Sequence, residues 1–303
     1  MLPTPKPRSF VDPQVLARLS GLPLFARRPM QGAVSGRHPS AQRGASVEFA
    51  EYRKYVPGDD LRRLDWRAYG RSDRFYVKEF EADTNLRCCL IVDTSGSMGF
   101  GSGAVNKVQY ARQLAAALSY LAVQQGDAVG LSCVAEGLVQ SIPPRRNPAH
   151  LRHLFDVLEN IQTQGETSLV PVLHELAETL GQRALVVILS DFFVETQLLR
   201  DCFEHLRFRK HDVTAFQLLD PLELDFQFQR PMRFLDLEGG SSIFAEPTEI
   251  VDRYHRALHE HLQTLRHVMV NTAVDYHQVR IDEDYEQVLV RLLVGRTQRR
   301  GRR

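Results

Sequence analysis

A carboxylate and two hydroxyls stand on alternate positions at Asp93, Ser95 and Ser97, directly after the apolar run 88–92. Asp-x-Ser-x-Ser offers a carboxylate and two hydroxyls on alternate positions of a loop that Gly96 lets turn tightly, with no nitrogen or sulfur in the set. Hard cations take such ligands, Mg²⁺ ahead of zinc or copper. The competing reading is a plain turn whose side chains bond their own backbone. A second chemistry is a Mg²⁺-dependent phosphohydrolase with Asp93 as nucleophile. Such an enzyme wants a further acid and a phosphate-clamping Lys or Arg beside the carboxylate. Serines complete a coordination shell but neither shuttle protons nor balance phosphate charge, so a binding site and no enzyme is expected.

The elements around this loop decide whether distant ligands can join it. Residues 88–92 are a short continuous run of β-formers, the pattern of a strand buried on both faces inside a parallel sheet. Residues 184–191 repeat it, again ending in a carboxylate, Asp191. Thr167 stands just before a helix expected over 169–180. In an open α/β sheet the carboxyl ends of the strands lie along one edge, where ligands bind, so Asp93, Ser95, Ser97, Thr167 and Asp191 can meet around one ion. Taken singly, Thr167 reads as a helix N-cap and Asp191 as a turn residue.

The rest of the chain supplies the alternation such a sheet needs. Helical periodicity covers 105–125, 147–161 (opened by Asn147 and Pro148), 195–209 and 247–270. Strands are expected over 127–134, 137–142 (stopped by Pro143 and Pro144), 212–219 and 272–275, with a closing helix over 282–293 capped by Asp282. Residues 221–246 read as a small β insertion, with a hairpin around Gly239 and Gly240. The pattern predicts an α/β fold, a doubly wound, mostly parallel sheet. Residues 1–29 form an N-terminal extension with a short amphipathic helix at 13–22, and 87–295 form the sheet domain. Between them, 30–86 is an arm with a half-exposed strand at 75–81. Phe49, Tyr52, Tyr55, Leu64, Trp66 and Phe80 carry too much apolar surface for a solvated tail, so the arm is expected to pack on the sheet. Residues 296–303 read as a basic, solvated tail.

Composition narrows the partners. Lys and Arg number 38 against 37 Asp and Glu, a net charge of +1, so no overall field draws the chain to nucleic acid. Four cysteines in no metal-knuckle or disulfide pattern point to a reducing cytoplasm. No apolar run approaches the roughly 20 residues of a membrane span. Gly99, Gly101 and Gly103 lack dinucleotide-loop spacing, and His255, His259 and His261 read as a solvated helix face.

The five-residue pattern of Asp93, Ser95 and Ser97 with a distant Thr167 and Asp191 resembles the metal-ion-dependent adhesion site of von Willebrand factor A domains. That resemblance implies direct coordination of Mg²⁺, or another divalent cation, by Ser95, Ser97 and Thr167. Asp93 and Asp191 would then hold metal-bound waters and the hydroxyls, leaving a position for a partner's carboxylate. Upstream, Arg53-x-Tyr55-x-Pro57-Gly58-Asp59-Asp60-x-Arg62-x-Leu64-Asp65-Trp66, followed by Val77-Lys78-Glu79-Phe80-Glu81, resembles the signature of the bacterial domain of unknown function 58 family. This likeness runs from about residue 30 to 295. It implies a von Willebrand A-like fold and a non-catalytic adaptor that works with a MoxR-type AAA+ ATPase in assembling or activating other proteins. The polar segment from Asp275 to Asp282 departs from the more apolar close that the family pattern leads one to expect.

Overall fold

The computed structural model describes residues 10–24, 48–54, 76–81, 86–181 and 183–301, with 48–54, 76–81 and 298–301 described by backbone alone. The chain divides into two compact units, Arg28–Leu86 and the remainder, Met1–Arg27 with Arg87–Arg303. In the smaller unit, β1 (Glu48–Lys54) pairs antiparallel with β2 (Tyr76–Glu81), with a register shift between Phe49 and Glu51. β1 was not anticipated, because 48–54 carries charge at four of its seven positions. The packing expected of Phe49, Tyr52, Tyr55, Leu64, Trp66 and Phe80 lies outside the described residues.

The larger unit is built on a six-stranded sheet in the order β10-β7-β6-β3-β4-β5. Its strands are β3 (Arg87–Asp93), β4 (Ala128–Val134), β5 (Leu138–Arg145), β6 (Leu185–Ser190), β7 (Asp212–Leu219) and β10 (Asp275–Arg280). All neighbours run parallel except β4 and β5. Every residue of β4, β6 and β7 is buried, and β6 accordingly reads as a nearly continuous apolar run rather than an alternating one.

The helices are α1 (Pro13–Leu19), α2 (Lys107–Gln124), α3 (Pro148–Asn160), α4 (Leu169–Thr179), α5 (Thr196–Phe208), α6 (Pro221–Asp225), α7 (Pro247–Asn271) and α8 (Tyr285–Gly301). α4, α5 and α7 cover one sheet face, where Ile91, Val186 and Ile188 meet Leu173, Phe203 and Leu265 in one apolar core. α2 covers the other face and is flanked by α1, α3 and α8. Local chemistry sets the helix starts. Asn106 and Gln109 form a reciprocal capping box at α2, and Asn147 caps α3 ahead of Pro148. The N-terminal helix is fastened by Arg18, whose guanidinium donates two hydrogen bonds to Glu286 at 2.7 and 2.6 Å.

Four expectations need correction. Pro143 and Pro144 do not end β5; they lie inside it as a bulge opposite Gly130, which an edge strand tolerates because its outer side needs no donors. The last strand begins at Asp275 rather than Thr272, and its polar middle is half-buried because β10 is the opposite edge. The closing helix starts at Tyr285, where Asp284 rather than Asp282 accepts a first-turn amide, that of Glu286, at 2.9 Å. Arg296 belongs to that helix and not to a solvated tail. It is buried, and its guanidinium lies 3.3 Å from both Asp212 and Asp275, two acids that the sheet edge would otherwise bury without this cation.

Candidate cation site at the carboxyl edge of the sheet

β3 ends in Asp93, and β6, its parallel neighbour, places Leu189 beside Val92. The next residue of each strand therefore stands side by side. The Ser190 hydroxyl donates to Asp93 Oδ2 at 2.7 Å. The loop after β3 turns back on itself as Ser95 N–H donates to Asp93 Oδ1 at 3.0 Å, and a 3₁₀ turn over Gly96–Gly99 follows. Ser95 Oγ and Ser97 Oγ end 3.2 Å apart.

Thr167 reaches this point through backbone hydrogen bonds between two loops. Gly96 N–H donates to Gly165 O at 2.9 Å and Gln164 N–H to Thr94 O at 3.0 Å, while Ser168 N–H donates to Ala135 O at 2.6 Å. Gly165 takes a positive φ of 68° in that crossing, a conformation that suits glycine. Thr167 then donates its hydroxyl to Asp93 Oδ2 at 3.3 Å while accepting from Leu169 N–H at the same distance. One hydroxyl thus serves both the start of α4, whose N-cap residue is Ser168, and the contact with Asp93.

Asp191 stands one residue past β6, and its charge is felt at Asp93. Burial, then the Asp191 charge, push the Asp93 carboxyl up to about 6, against weaker opposing hydrogen bonds from Ser190 and Ser95. Asp191 itself faces a cation absent from the sequence reading. Lys107, the first residue of α2, is fully buried and places Nζ 2.7 Å from Asp191 Oδ2 and 2.7 Å from Glu223 Oε1. Burial alone would lower the Lys107 pKa, but the two carboxylates outweigh it and hold it above the usual lysine value. Asp191 Oδ1 accepts Phe193 N–H at 3.3 Å, and its carbonyl accepts Gln217 Nε2 at 2.9 Å. Between these anchors Phe192 is held at φ 56°, a strained position for a bulky residue and one that clusters at working sites.

A further layer braces the lysine. Asp220, buried at the end of β7, accepts Ser102 N–H at 2.8 Å and Ser102 Oγ at 2.6 Å, and caps α6 with Glu223 as partner. The loop from Ser97 to α2 is thereby tied to the end of β7.

The structure thus links Asp93 to Ser95 and Thr167, and Ser95 to Ser97, by hydrogen bonds, and sets Asp191 at the adjoining strand end, turned toward Lys107. Sequence reasoning missed Ser190, Lys107, Asp220 and Glu223. Ser190 had a signal in its position beside Asp191; Lys107 had none, because a lysine opening a helix ordinarily faces water. The donor set fits a hard cation. Neighbouring ligands of octahedral Mg²⁺ stand about 3 Å apart, given metal–oxygen distances of about 2.1 Å, close to the Ser95–Ser97 separation. Among the described residues no Lys, Arg or His pairs with Asp93, and no group of three or more His, Cys, Asp or Glu is placed to hold a metal ion. His261 bonds the Phe192 carbonyl at 3.0 Å and His259 bonds Gln263 at 2.7 Å. No helix among the described residues is long and apolar enough to cross a membrane.

Comparison with known proteins bears on the family. An uncharacterized protein of Mycobacterium bovis is 28% identical over 297 residues, spanning 96% of this chain and 92% of that protein. The uncharacterized protein YeaD of Bacillus subtilis is 29% identical over 129 residues, 42% of this chain and 30% of its own length. Among solved structures, the conserved hypothetical protein BatB from Bacteroides thetaiotaomicron has a TM-score of 0.49 at 12% identity, over 71% of this chain and all of that one. The SpRpn10 VWA domain has a TM-score of 0.42 at 9% identity, over 69% of this chain and 95% of that one. The family model described as "Protein of unknown function DUF58" matches residues 51–264, a span that holds both the upstream signature and all five candidate site residues. With well over half of its length inside that match, the chain belongs to the DUF58 family.

Proposed function

We propose that this chain is a non-catalytic protein-binding module that captures an acidic residue of a partner through a divalent cation, Mg²⁺ foremost. Ser95, Ser97 and Thr167 would hold the ion, with Asp93 and Asp191 behind them. The observation that carries the reading is the buried Asp93 carboxylate, which stands beside a second carboxylate and three hydroxyls with no cationic side chain turned to it among the described residues. A buried charge in that setting wants a counter-ion.

When bound, Mg²⁺ supplies a Lewis-acidic charge with room for an outside carboxylate. The chain's own part is positioning. Asp93 orients the Thr167 hydroxyl and the Ser95 amide, Ser190 fixes Asp93, and Lys107 holds Asp191 in place. Lys107 is engaged by two carboxylates and is no phosphate clamp, which favours capture over hydrolysis. The partner we assign is a MoxR-type AAA+ ATPase together with the proteins it remodels, a choice supported by the family resemblance.

The test is a pull-down with the MoxR-type ATPase of the same genome in Mg²⁺ or EDTA. EDTA and the Ser95→Ala/Ser97→Ala double variant should each abolish capture, and combining them should cost no more than either alone, since both remove one interaction. A yield indifferent to both would move recognition to another surface. Turnover of a generic phosphate ester in Mg²⁺ should be absent.

A further inference from the structure

The hairpin of β8 (Met232–Leu235) and β9 (Ser242–Ala245) is attached to the body on one side and bare on the other. Phe234 anchors it, stacking on Phe226 at 5.7 Å and meeting Phe228 edge-on at 5.3 Å. Yet Leu235 is 65%, Leu237 47%, Ile243 64% and Phe244 73% exposed. Leu235 and Phe244 on the bare face and Leu237 at the tip are more than scattered surface residues, and two strands alone gain nothing from them; Ile243 pairs with Phe234 and so shares the anchored face.

The hairpin's position gives these side chains a meaning. Its tip lies on the cation loop: a Cβ added to Gly96 would fall 1.9 Å from the Leu237 carbonyl oxygen, so only glycine between Ser95 and Ser97 lets the hairpin approach this closely. On the other flank Phe193 is 40% exposed two residues after Asp191, its ring 5.5 Å from Lys107 Nζ. Paired residues of an antiparallel hairpin share a face, so Leu235 and Ser242 lie with Arg233 and Phe244. Arg233 donates to Ser242 Oγ at 2.6 Å and so lies across the face that holds both apolar side chains. Two acids flank Leu237 at the tip, Asp236 and Glu238, and Asp236 accepts Glu238 N–H within the turn at 2.9 Å.

We infer that the bare hairpin face and Phe193 form an apolar rim to the cation site, and that the partner segment carries large apolar side chains immediately beside its acidic residue. This inference rests on the carboxylate-capture reading above. Arg233 favours an acidic segment over a basic one, and continuity of the hairpin with the Ser95–Ser97 loop puts both contacts within one short peptide.

Fluorescein-labelled peptides containing Leu-Asp-Leu, Ser-Asp-Ser or Leu-Asn-Leu between glycines, titrated with the full chain in Mg²⁺ and read by polarisation, test it. Leu-Asp-Leu should bind at least tenfold tighter than Ser-Asp-Ser, and Leu-Asn-Leu should not bind. The exposed double variant Leu235→Ser/Phe244→Ser should lose that tenfold preference while its Mg²⁺ affinity by calorimetry stays that of the wild type. Equal binding of the two Asp peptides overturns the rim, as does a preference that survives the double variant. A homodimer that dissociates in the double variant also overturns it, by showing that a second copy covers the face. No Mg²⁺ binding by the wild type, or equal binding of Leu-Asn-Leu and Leu-Asp-Leu, overturns the cation reading beneath it.

Discussion

Replacing Lys107 with methionine keeps the length of the side chain and removes its charge. In the wild type the ammonium is fully buried and lies 2.7 Å from each of two carboxylates, one on the loop after β6 and one in α6. Removing one member of a buried ion pair costs about 3–5 kcal/mol, because the remaining charge stays desolvated. Glu223 softens the loss: burial already raises its pKa, and Lys107 is what opposes that, so the variant lets Glu223 take up a proton. At a urea slope of about 3 kcal/mol/M the midpoint without divalent cation should fall by about 1 M or slightly more. Lys107→Met/Glu223→Gln should then cost less than the sum of its parts. The same change should strengthen Mg²⁺ binding at least about tenfold, about 1.4 kcal/mol, because a positive charge next to Asp191 has gone. Urea melts read by circular dichroism and Mg²⁺ calorimetry on one preparation provide both numbers. An unshifted midpoint would refute the burial argument. Weaker Mg²⁺ binding in a folded variant would show that Lys107 matters to the site by placing Asp191 and not by its charge.

Asp93→Asn removes one of two mutually repelling buried carboxylates, so the cation-free protein should be as stable as the wild type or more so while Mg²⁺ binding by calorimetry is lost; retained binding would remove Asp93 from the site. Gly96→Ala should drive the Leu237 carbonyl off the cation loop at a cost of about 1–3 kcal/mol, seen as faster proteolysis near residue 238 and a lower melting temperature; wild-type behaviour in both would mean the contact is slack. His211 accepts Ala184 N–H on Nδ1 at 3.2 Å, and burial, then nearby arginines, push its pKa down to about 4 from the ordinary 6.5. The native state therefore resists a proton that the unfolded chain accepts, so stability is whole above pH 6.5 and falls as pH drops toward 4. Urea midpoints across that window should flatten in His211→Gln, and an equally steep wild-type and variant profile would exclude His211 as the cause.

Much of the architecture was legible because its signals are local. The apolar runs ending at Asp93 and Asp191 read as strands buried on both faces, and Asn147 ahead of Pro148 marks a helix start that needs no tertiary information, whereas the short helix opened by Asp220 fell in a stretch read as β. The edges were less legible. β1, the two prolines in β5 and the polar β10 all defeat a reading based on apolar pattern, since an edge strand is defined by which neighbour it lacks. For the site, the sequence by itself determined the oxygen chemistry and, through the rule that strand ends share one edge, the company of Asp93, Ser95, Ser97 and Thr167. Only the tertiary structure decided that Asp191 faces a buried lysine, that Ser190 fixes Asp93, that Arg296 is interior and that Leu237 rests on Gly96. Each of those is a charge, a hydrogen bond or a close approach between segments roughly 80 to 140 residues apart. Periodicity records which face of an element is buried; it does not record which side chain of another element will be waiting there.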